Sequence, residues 1–242
     1  MAEIIVALDL PSAEEADRLL ERLPGLRWVK VGSILMTRAG PAFVRRLVDR
    51  GLQVFLDLKW HDIPNTVAGA VSAGRDLGVS MATVHTLGGP AMMRAAAAAA
   101  DGAVALVGVT VLTSHAADDY DRATGREGTD LALEVDRLAA AALASGLDGV
   151  VCSPQETARV RTVAGPRALI VVPGIRRAGD AAGDQSRTAD PATAAARGAT
   201  HLVVGRPILA AADPAAAYAE LAEAAALRAT SGTPRDRPSP AS

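Results

Sequence analysis

Residues 53–77 read QVFLDLKWHDIPNTVAGAVSAGRDL and contain a strand pattern followed by a helix pattern. The first six residues form a short, mostly apolar run that predicts a buried β-strand over 53–58. A helix-like segment follows over 65–77. A strand that leads into a helix is the repeating unit of α/β folds, so this stretch indicates the fold class.

The same unit occurs eight times along the chain. Strand-like runs lie at 4–8, 28–31, 53–58, 81–85, 103–112, 149–152, 168–172 and 201–204. Helix-like segments lie at 12–23, 38–50, 65–77, 90–100, 130–145, 154–163, 191–197 and 214–228. Eight units in a chain of 242 residues match the (β/α)8 TIM barrel, which usually has about 250 residues. We therefore predict a single α/β domain, a TIM barrel, over residues 1–228.

The alternative fold is an open, doubly wound sheet. The Gly-x-Gly-x-x-Gly turn that favours a dinucleotide-binding sheet is absent after the first strand, where residues 9–12 read DLPS. Residues 229–242 contain Pro, Ser, Thr and charged residues without apolar periodicity, which predicts a disordered tail.

Composition narrows the class of protein. The formal net charge is -2 and Lys and Arg form no dense stripe, which argues against a nucleic-acid-binding protein. The single cysteine, Cys152, cannot form an intramolecular disulfide and fits a reducing compartment. The chain starts without a signal-peptide pattern and has no uncharged apolar span of membrane length. We expect a cytoplasmic protein that acts on a small molecule, without membrane contact.

Charged residues stand at the end of the strand quoted first. Strand alternation places Asp57 and Lys59 on the same side, opposite Leu56 and Leu58. Burying charges is costly unless they are paired, so a charged pair on an apolar strand indicates a functional site.

The other predicted strands also end in polar residues, and in a TIM barrel the active site lies at these C-terminal ends. Taken over all eight strands, the residues at or just beyond these ends are Asp9, Lys30, Asp57, Lys59, Asp62, His85, Thr110, Thr113, Ser153, Arg176 and Arg206, with Gly205 directly before Arg206. One polar residue at a strand end is usually a turn or cap residue, but that explanation accounts poorly for two lysines and three aspartates.

Several segments resemble the orotidine 5'-phosphate decarboxylase family, in its bacterial form, and occur in the family's order. They are VKVG at 29–32, DLKWHDIPNT at 57–66, VTVLTS at 109–114, GLDGVVCSPQE at 146–156, PGIR at 173–176 and VVGRPI at 203–208. The resemblance implies a homodimeric (β/α)8 barrel. It also implies conversion of orotidine 5'-phosphate to UMP and CO2, a step of pyrimidine biosynthesis, without a metal or organic cofactor.

The resemblance also implies roles for individual residues. Lys59 would protonate C6 of the pyrimidine, Asp57 would face the departing carboxylate, and Lys30 would bridge Asp57 and the ribose. In this family the residues at Asp62 and Thr66 reach into the partner subunit's site, so each site would be shared.

The remaining implied roles concern substrate binding. Asp9 would contact the nucleoside and Thr113 the pyrimidine edge. Gly205, Arg206, Arg176 and Gln185 would hold the 5'-phosphate. Residues 176–188 are rich in glycine and charge, which predicts a mobile lid over that phosphate.

Two other functions remain open. A Mg²⁺-dependent phosphosugar decarboxylase or synthase on the same barrel would need an acidic metal ligand at the end of strand 2, where this chain has Lys30. The second alternative is a non-catalytic barrel that binds a phosphate ligand, because fold does not determine function. Such a barrel would be expected to lack a lysine or an aspartate of the array Lys30, Asp57, Lys59 and Asp62, and none is missing here.

Overall fold

The computed structural model describes residues 1–177 and 187–226 as a closed barrel of eight parallel strands. The strands are β1 (Glu3–Ala7), β2 (Trp28–Gly32), β3 (Gln53–Trp60), β4 (Met81–His85), β5 (Ala105–Val109), β6 (Gly149–Val151), β7 (Leu169–Val172) and β8 (His201–Val204). Each strand pairs with the next in the sequence, and β8 pairs with β1. The predicted TIM barrel is confirmed, and the open sheet is excluded because the described strands leave no free edge.

Helices surround the barrel. They are α1 (Ala13–Glu21), α2 (Ser33–Asp49), α3 (Pro64–Asp76), α4 (Gly89–Ala100), α5 (Ala117–Thr124), α6 (Leu131–Ala144), α7 (Thr157–Ala164), α8 (Pro191–Ala196), α9 (Arg206–Leu209) and α10 (Pro214–Ala226). The short α5 and α9 were not predicted. α2 starts earlier than expected because it consists of two helical pieces that meet at Gly40, whose φ is 68°, followed by Pro41.

Two apolar layers hold the barrel together. Along β1, Ile4 and Val6 pack outward against the helices, whereas Ile5 and Ala7 point into the barrel. The interior layer consists of Ile5, Ala7, Phe55, Met81, Val107, Val171 and Val203. This filled interior is the packed core expected of a TIM barrel, and it closes the lower end of any cavity that opens at the C-terminal rim.

Two further predictions concern the C-terminal tail and membrane contact. The described part of the barrel ends with α10, and the predicted tail at 229–242 lies outside the described residues. Within residues 1–177 and 187–226, none of the helices combines the length and the apolarity that crossing a membrane requires.

Candidate active site

A cavity of about 490 Å³ opens at the C-terminal rim of the barrel. The predicted site residues that line it are Asp9, Lys30, Asp57, Lys59, Thr113, Arg176, Gly205 and Arg206. Because the strands are parallel, each of their C-terminal ends reaches this same rim. The closed barrel therefore brings together residues that lie up to about two hundred positions apart in the sequence.

Four of these side chains form a continuous row of alternating charge. Lys30 Nζ lies 2.9 Å from Asp9 Oδ1 and 3.6 Å from Asp57 Oδ2. Lys59 Nζ lies 2.9 Å from Asp57 Oδ1. The side chains of Lys30 and Asp57 are 11% and 14% exposed, whereas that of Lys59 is 41% exposed. The row therefore ends in an ammonium group that can reach a molecule in the cavity.

The charge of Asp57 is stabilised by its neighbours. Burial by itself would raise the pKa of this carboxyl group, but the ammonium groups of Lys30 and Lys59 outweigh burial and lower the pKa below its ordinary value. Asp57 is therefore an anion at neutral pH, and it forms an ion pair with each of the two lysine ammonium groups. A fixed row of this kind supplies a preorganised electric field, which water could not maintain.

The backbone at the end of β3 departs from a regular strand. Lys59 has a φ of 51°, a left-handed conformation that is uncommon for residues other than glycine. The pairing with β4 shifts register between Leu56 and Trp60, as in a β-bulge. Asp57 and Lys59 do meet on one side of β3, as alternation predicted, but through an irregular backbone that alternation does not describe.

Trp60, the next residue, packs into the outer apolar layer. A Cβ atom added at Gly74 of α3 would lie 3.1 Å from the Trp60 ring, so glycine makes room for the indole. Trp60 therefore fixes the outer side of β3 where Lys59 turns toward the cavity.

Asp62 and Thr66 do not line the cavity of their own chain. Both are exposed, in the segment that joins β3 to α3 and in the first turn of α3. The intervening Ile63 is 66% exposed. A single chain therefore does not bring these two predicted site residues to the Lys/Asp row.

Arginines stand on the other wall of the cavity. Arg176 follows β7, which is separated from β3 by three strands in either direction around the barrel. Gly205 and Arg206 follow β8. An elongated ligand could therefore place an anionic group near the arginines and its other end near Lys59. The predicted phosphate ligand Gln185 lies outside the described residues.

Sequence reasoning missed the apolar part of the lining. Phe55, Val171 and Val203 belong both to the interior core and to the cavity floor. Cys152 also lines the cavity, but its side chain is buried, and burial raises the pKa of the thiol to about 12. A thiol that stays protonated is a poor nucleophile, so we assign Cys152 a structural role in the cavity lining.

Histidines lie near the rim as well. The rings of His61 and His85 stack with centroids 5.5 Å apart. Burial, with smaller contributions from nearby cationic groups, lowers the pKa of His85 to about 4. Within the two described ranges, no three His, Cys, Asp or Glu side chains are grouped as a metal site would require.

Comparison with known proteins gives consistent matches over nearly the whole chain. Residues 2–221 match the model of the orotidine 5'-phosphate decarboxylase / HUMPS family. An orotidine 5'-phosphate decarboxylase of Halorhodospira halophila is 55% identical over 223 residues, which cover 90% of this chain and 94% of the relative. That of Thermosynechococcus vestitus is 47% identical over 221 residues, covering 91% and 94%.

A solved structure agrees with these matches. The crystal structure of orotidine 5'-phosphate decarboxylase from Lactobacillus acidophilus superposes with a TM-score of 0.84 at 36% sequence identity. The match covers 94% of this chain and all of the other.

Proposed function

The chain belongs to the orotidine 5'-phosphate decarboxylase / HUMPS family, and we propose that it converts orotidine 5'-phosphate to UMP and CO2. The observation that carries this proposal is the Asp9–Lys30–Asp57–Lys59 row at the mouth of the barrel. The reaction places the protein in pyrimidine nucleotide synthesis. We also propose that it acts in the cytoplasm, because its one cysteine fits a reducing compartment.

The chemistry of the reaction explains why such a row is useful. When the bond from C6 to the carboxylate breaks, the electron pair stays on C6 in an orbital orthogonal to the ring π system. Delocalisation cannot stabilise this charge, so the protein must do so electrostatically. We propose that the Lys59 ammonium stabilises the charge at C6 and then donates a proton to it, while CO2 leaves.

The other members of the row hold Lys59 in place. Asp57 lies 2.9 Å from the Lys59 ammonium and is itself held by Lys30 on its other oxygen. We propose that Asp57 faces the departing carboxylate, that Lys30 also contacts the ribose, and that Asp9 contacts the nucleoside. Thr113, which follows β5 and lines the same cavity, is proposed to contact the pyrimidine edge.

The phosphate is proposed to bind at the opposite wall. Arg176, Arg206 and the backbone at Gly205 line the cavity there, and guanidinium groups suit phosphate because they offer paired donors. Gln185 is proposed as a further phosphate ligand on the basis of the sequence resemblance alone. Binding energy at the phosphate can then support the chemistry at the other end of the substrate.

We also propose a homodimer with shared sites. Asp62 and Thr66 are exposed and lie away from their own cavity. Large exposed apolar residues stand beyond three adjacent strands at the same rim: Ile34 after β2, Ile63 after β3 and Leu87 after β4. A second copy of the chain docked on this rim would cover these side chains and could place Asp62 and Thr66 in the neighbouring site.

The family also contains enzymes that act on phosphosugars, but one feature favours the decarboxylase. A Mg²⁺-dependent enzyme needs an acidic ligand near the C-terminal end of β2, and the β2 side chain that lines the cavity here is Lys30. Its ammonium lies 3.6 Å from Asp57 and would repel a divalent cation. A non-catalytic barrel is disfavoured because the complete row is present.

The decisive experiment follows the loss of orotidine 5'-phosphate by absorbance, with and without EDTA. We expect turnover that EDTA does not reduce, and we expect it to be abolished in Lys59→Ala. No turnover by the unmodified protein would overturn the proposed function. A protein that leaves orotidine 5'-phosphate intact but turns over a phosphosugar in the presence of Mg²⁺ would favour the phosphosugar-enzyme alternative.

A further inference from the structure

The pairing of β3 with β4 is interrupted where the row of charges begins. Leu56 pairs with Ala82 and Trp60 pairs with Val84. Between these pairs β3 has three residues, 57–59, whereas β4 has one, Thr83. On the β4 side, therefore, the regular ladder does not extend over the segment that carries Asp57 and Lys59.

The Thr83 side chain occupies this gap. The backbone N–H of Lys59 donates to Thr83 Oγ1 at 2.8 Å, and Thr83 Oγ1 donates to Asp57 Oδ1 at 3.1 Å. The residue is completely buried. A hydroxyl group has one hydrogen to donate, and here it goes to the carboxylate while an oxygen lone pair accepts the amide hydrogen. One hydroxyl thus contacts both members of the Asp57–Lys59 pair.

These hydrogen bonds stabilise a backbone conformation of Lys59 that is unfavourable by itself. Lys59 has its φ at 51°, and a conformation of this kind persists only where its surroundings hold it. The same Asp57 oxygen that accepts from Thr83 also accepts from Lys59 Nζ at 2.9 Å. Without the hydroxyl, the Lys59 amide would lose its acceptor and the Asp57 carboxylate one of its donors.

We infer that Thr83 is a positioning residue for the decarboxylation, which holds the β3 bulge so that Asp57 fixes the Lys59 ammonium toward the cavity. This inference rests on the proposed function. Thr83 does not line the cavity and acts through its two neighbours rather than on substrate. Thr83 is uncharged and belongs to none of the sequence motifs identified above, so the sequence alone did not indicate this role.

The test compares substitutions that keep or remove the hydroxyl. Thr83→Val keeps the shape and removes the hydroxyl, and we expect kcat to fall about 100-fold, because small misplacements of reacting groups have effects of that order. The KM for orotidine 5'-phosphate should change little, because the phosphate and nucleoside contacts remain. Thr83→Ser should restore kcat to near the unmodified value.

A purely structural role for Thr83 predicts a different result. Thr86 provides the matched control, because its buried hydroxyl donates to the carbonyl of Val109 at 2.8 Å and touches no member of the row. Thr86→Val should lower the melting temperature without changing kcat. If Thr83→Val and Thr86→Val change kcat equally, or if Thr83→Ser fails to restore it, the inference is wrong.

A second pair of variants covers the case in which Thr83→Val does not fold. Thr83→Ser and Thr83→Cys differ only in an oxygen or a sulfur atom, and a thiol is a weak hydrogen-bonding group. We expect the cysteine variant to have the lower kcat, with an acid limb of the kcat profile at higher pH because Asp57 loses a donor. Equal kcat and equal profiles would overturn the inference. An inactive unmodified protein would instead overturn the proposed function.

Discussion

The phenol of Tyr120 donates a hydrogen bond of 2.6 Å to the buried carboxylate of Glu134 and so joins α5 to α6. Glu134 also accepts from Arg126 at 2.8 Å and from Arg137 at 2.6 Å. These bonds hold α5 and the start of α6 together, and both helices follow Thr113 in the sequence. The segment between β5 and α6 thus has its own polar anchor.

The charge of Glu134 should therefore contribute to stability. We expect Glu134→Gln to lower the free energy of unfolding by about 2 kcal/mol, because the amide keeps the shape but not the charge that both guanidinium groups pair with. Tyr120→Phe removes one neutral hydrogen-bond donor and should lower the free energy of unfolding by about 1 kcal/mol. Urea unfolding at neutral pH measures both, and equal stability of Glu134→Gln and the unmodified protein would contradict the expectation.

The same carboxylate predicts a pH dependence. The hydrogen bond from Arg137 is the largest influence, and with the other donors it lowers the pKa of Glu134 from 4.5 to about 2 against the opposing effect of burial. Its stabilisation is fully present above pH 4.5, where the unfolded chain is also ionised, and is lost as the pH falls through about 2. As the pH is lowered from 4.5 to about 2, the free energy of unfolding of Glu134→Gln should therefore fall less steeply than that of the unmodified protein.

The contacts that stabilise α5 also explain why this helix could not be predicted from the sequence. Its residues, ADDYDRAT, contain one fully buried side chain, Tyr120, and no apolar periodicity. The helix depends on a contact with Glu134, which lies fourteen positions further along the chain. The strands could be predicted because each contains a short, largely apolar run, and such a run is a local property of the sequence.

Which residues line the candidate site could also be predicted in part. The charged residues were identifiable because charges at the ends of apolar strands are conspicuous. The pairing of Lys30 with Asp9 and the contact of Thr83 with Asp57 join different strands, and the left-handed φ of Lys59 accompanies a change of register. Such features depend on how the barrel closes, which no local pattern encodes.

Removal of Lys59 or Asp57 should affect turnover more than binding. We expect Lys59→Ala to lower kcat by at least about 1000-fold, because it removes both the proton donor and the charge next to C6. Asp57→Asn should also lower kcat, since Lys59 loses the carboxylate that holds it. Steady-state kinetics with orotidine 5'-phosphate measures both.

A surface ion pair provides the control for these variants. Asp17 pairs with Arg46 at 2.6 Å on the outside of the barrel, where such pairs contribute little to stability. Asp17→Asn should leave kcat unchanged. If Asp57→Asn behaved like Asp17→Asn, the proposed role of the charge row would be wrong.

The proposed phosphate site predicts a dependence on the substrate's phosphate. We expect Arg206→Ala to lower kcat/KM for orotidine 5'-phosphate about 100-fold, because a charge-assisted contact is lost. The same substitution should leave the much slower decarboxylation of orotidine, which has no phosphate, nearly unchanged. An equal loss with both substrates would show that Arg206 acts elsewhere. The unmodified protein should turn orotidine over more slowly as well as bind it more weakly.

Shared sites in a homodimer can be tested by mixing two inactive variants. Lys59→Ala disables the site of its own chain, whereas Asp62→Asn would disable the site of the partner. In a heterodimer of the two, both lesions fall in one site and the other site is intact. Co-expression should therefore yield up to about a quarter of the unmodified activity per chain, because random pairing gives heterodimers half of the time and each has one working site of two.

The matched control for this experiment is co-expression of Lys59→Ala with Lys30→Ala. Both lysines line the cavity of their own chain, so every site of that heterodimer carries a lesion and no activity should return. Recovery in the Asp62→Asn mixture but not in this control would support composite sites. Absence of recovery in both, with dimers verified by sedimentation, would mean that Asp62 does not serve the neighbouring site. Full activity of Asp62→Asn alone would remove Asp62 from the catalytic machinery.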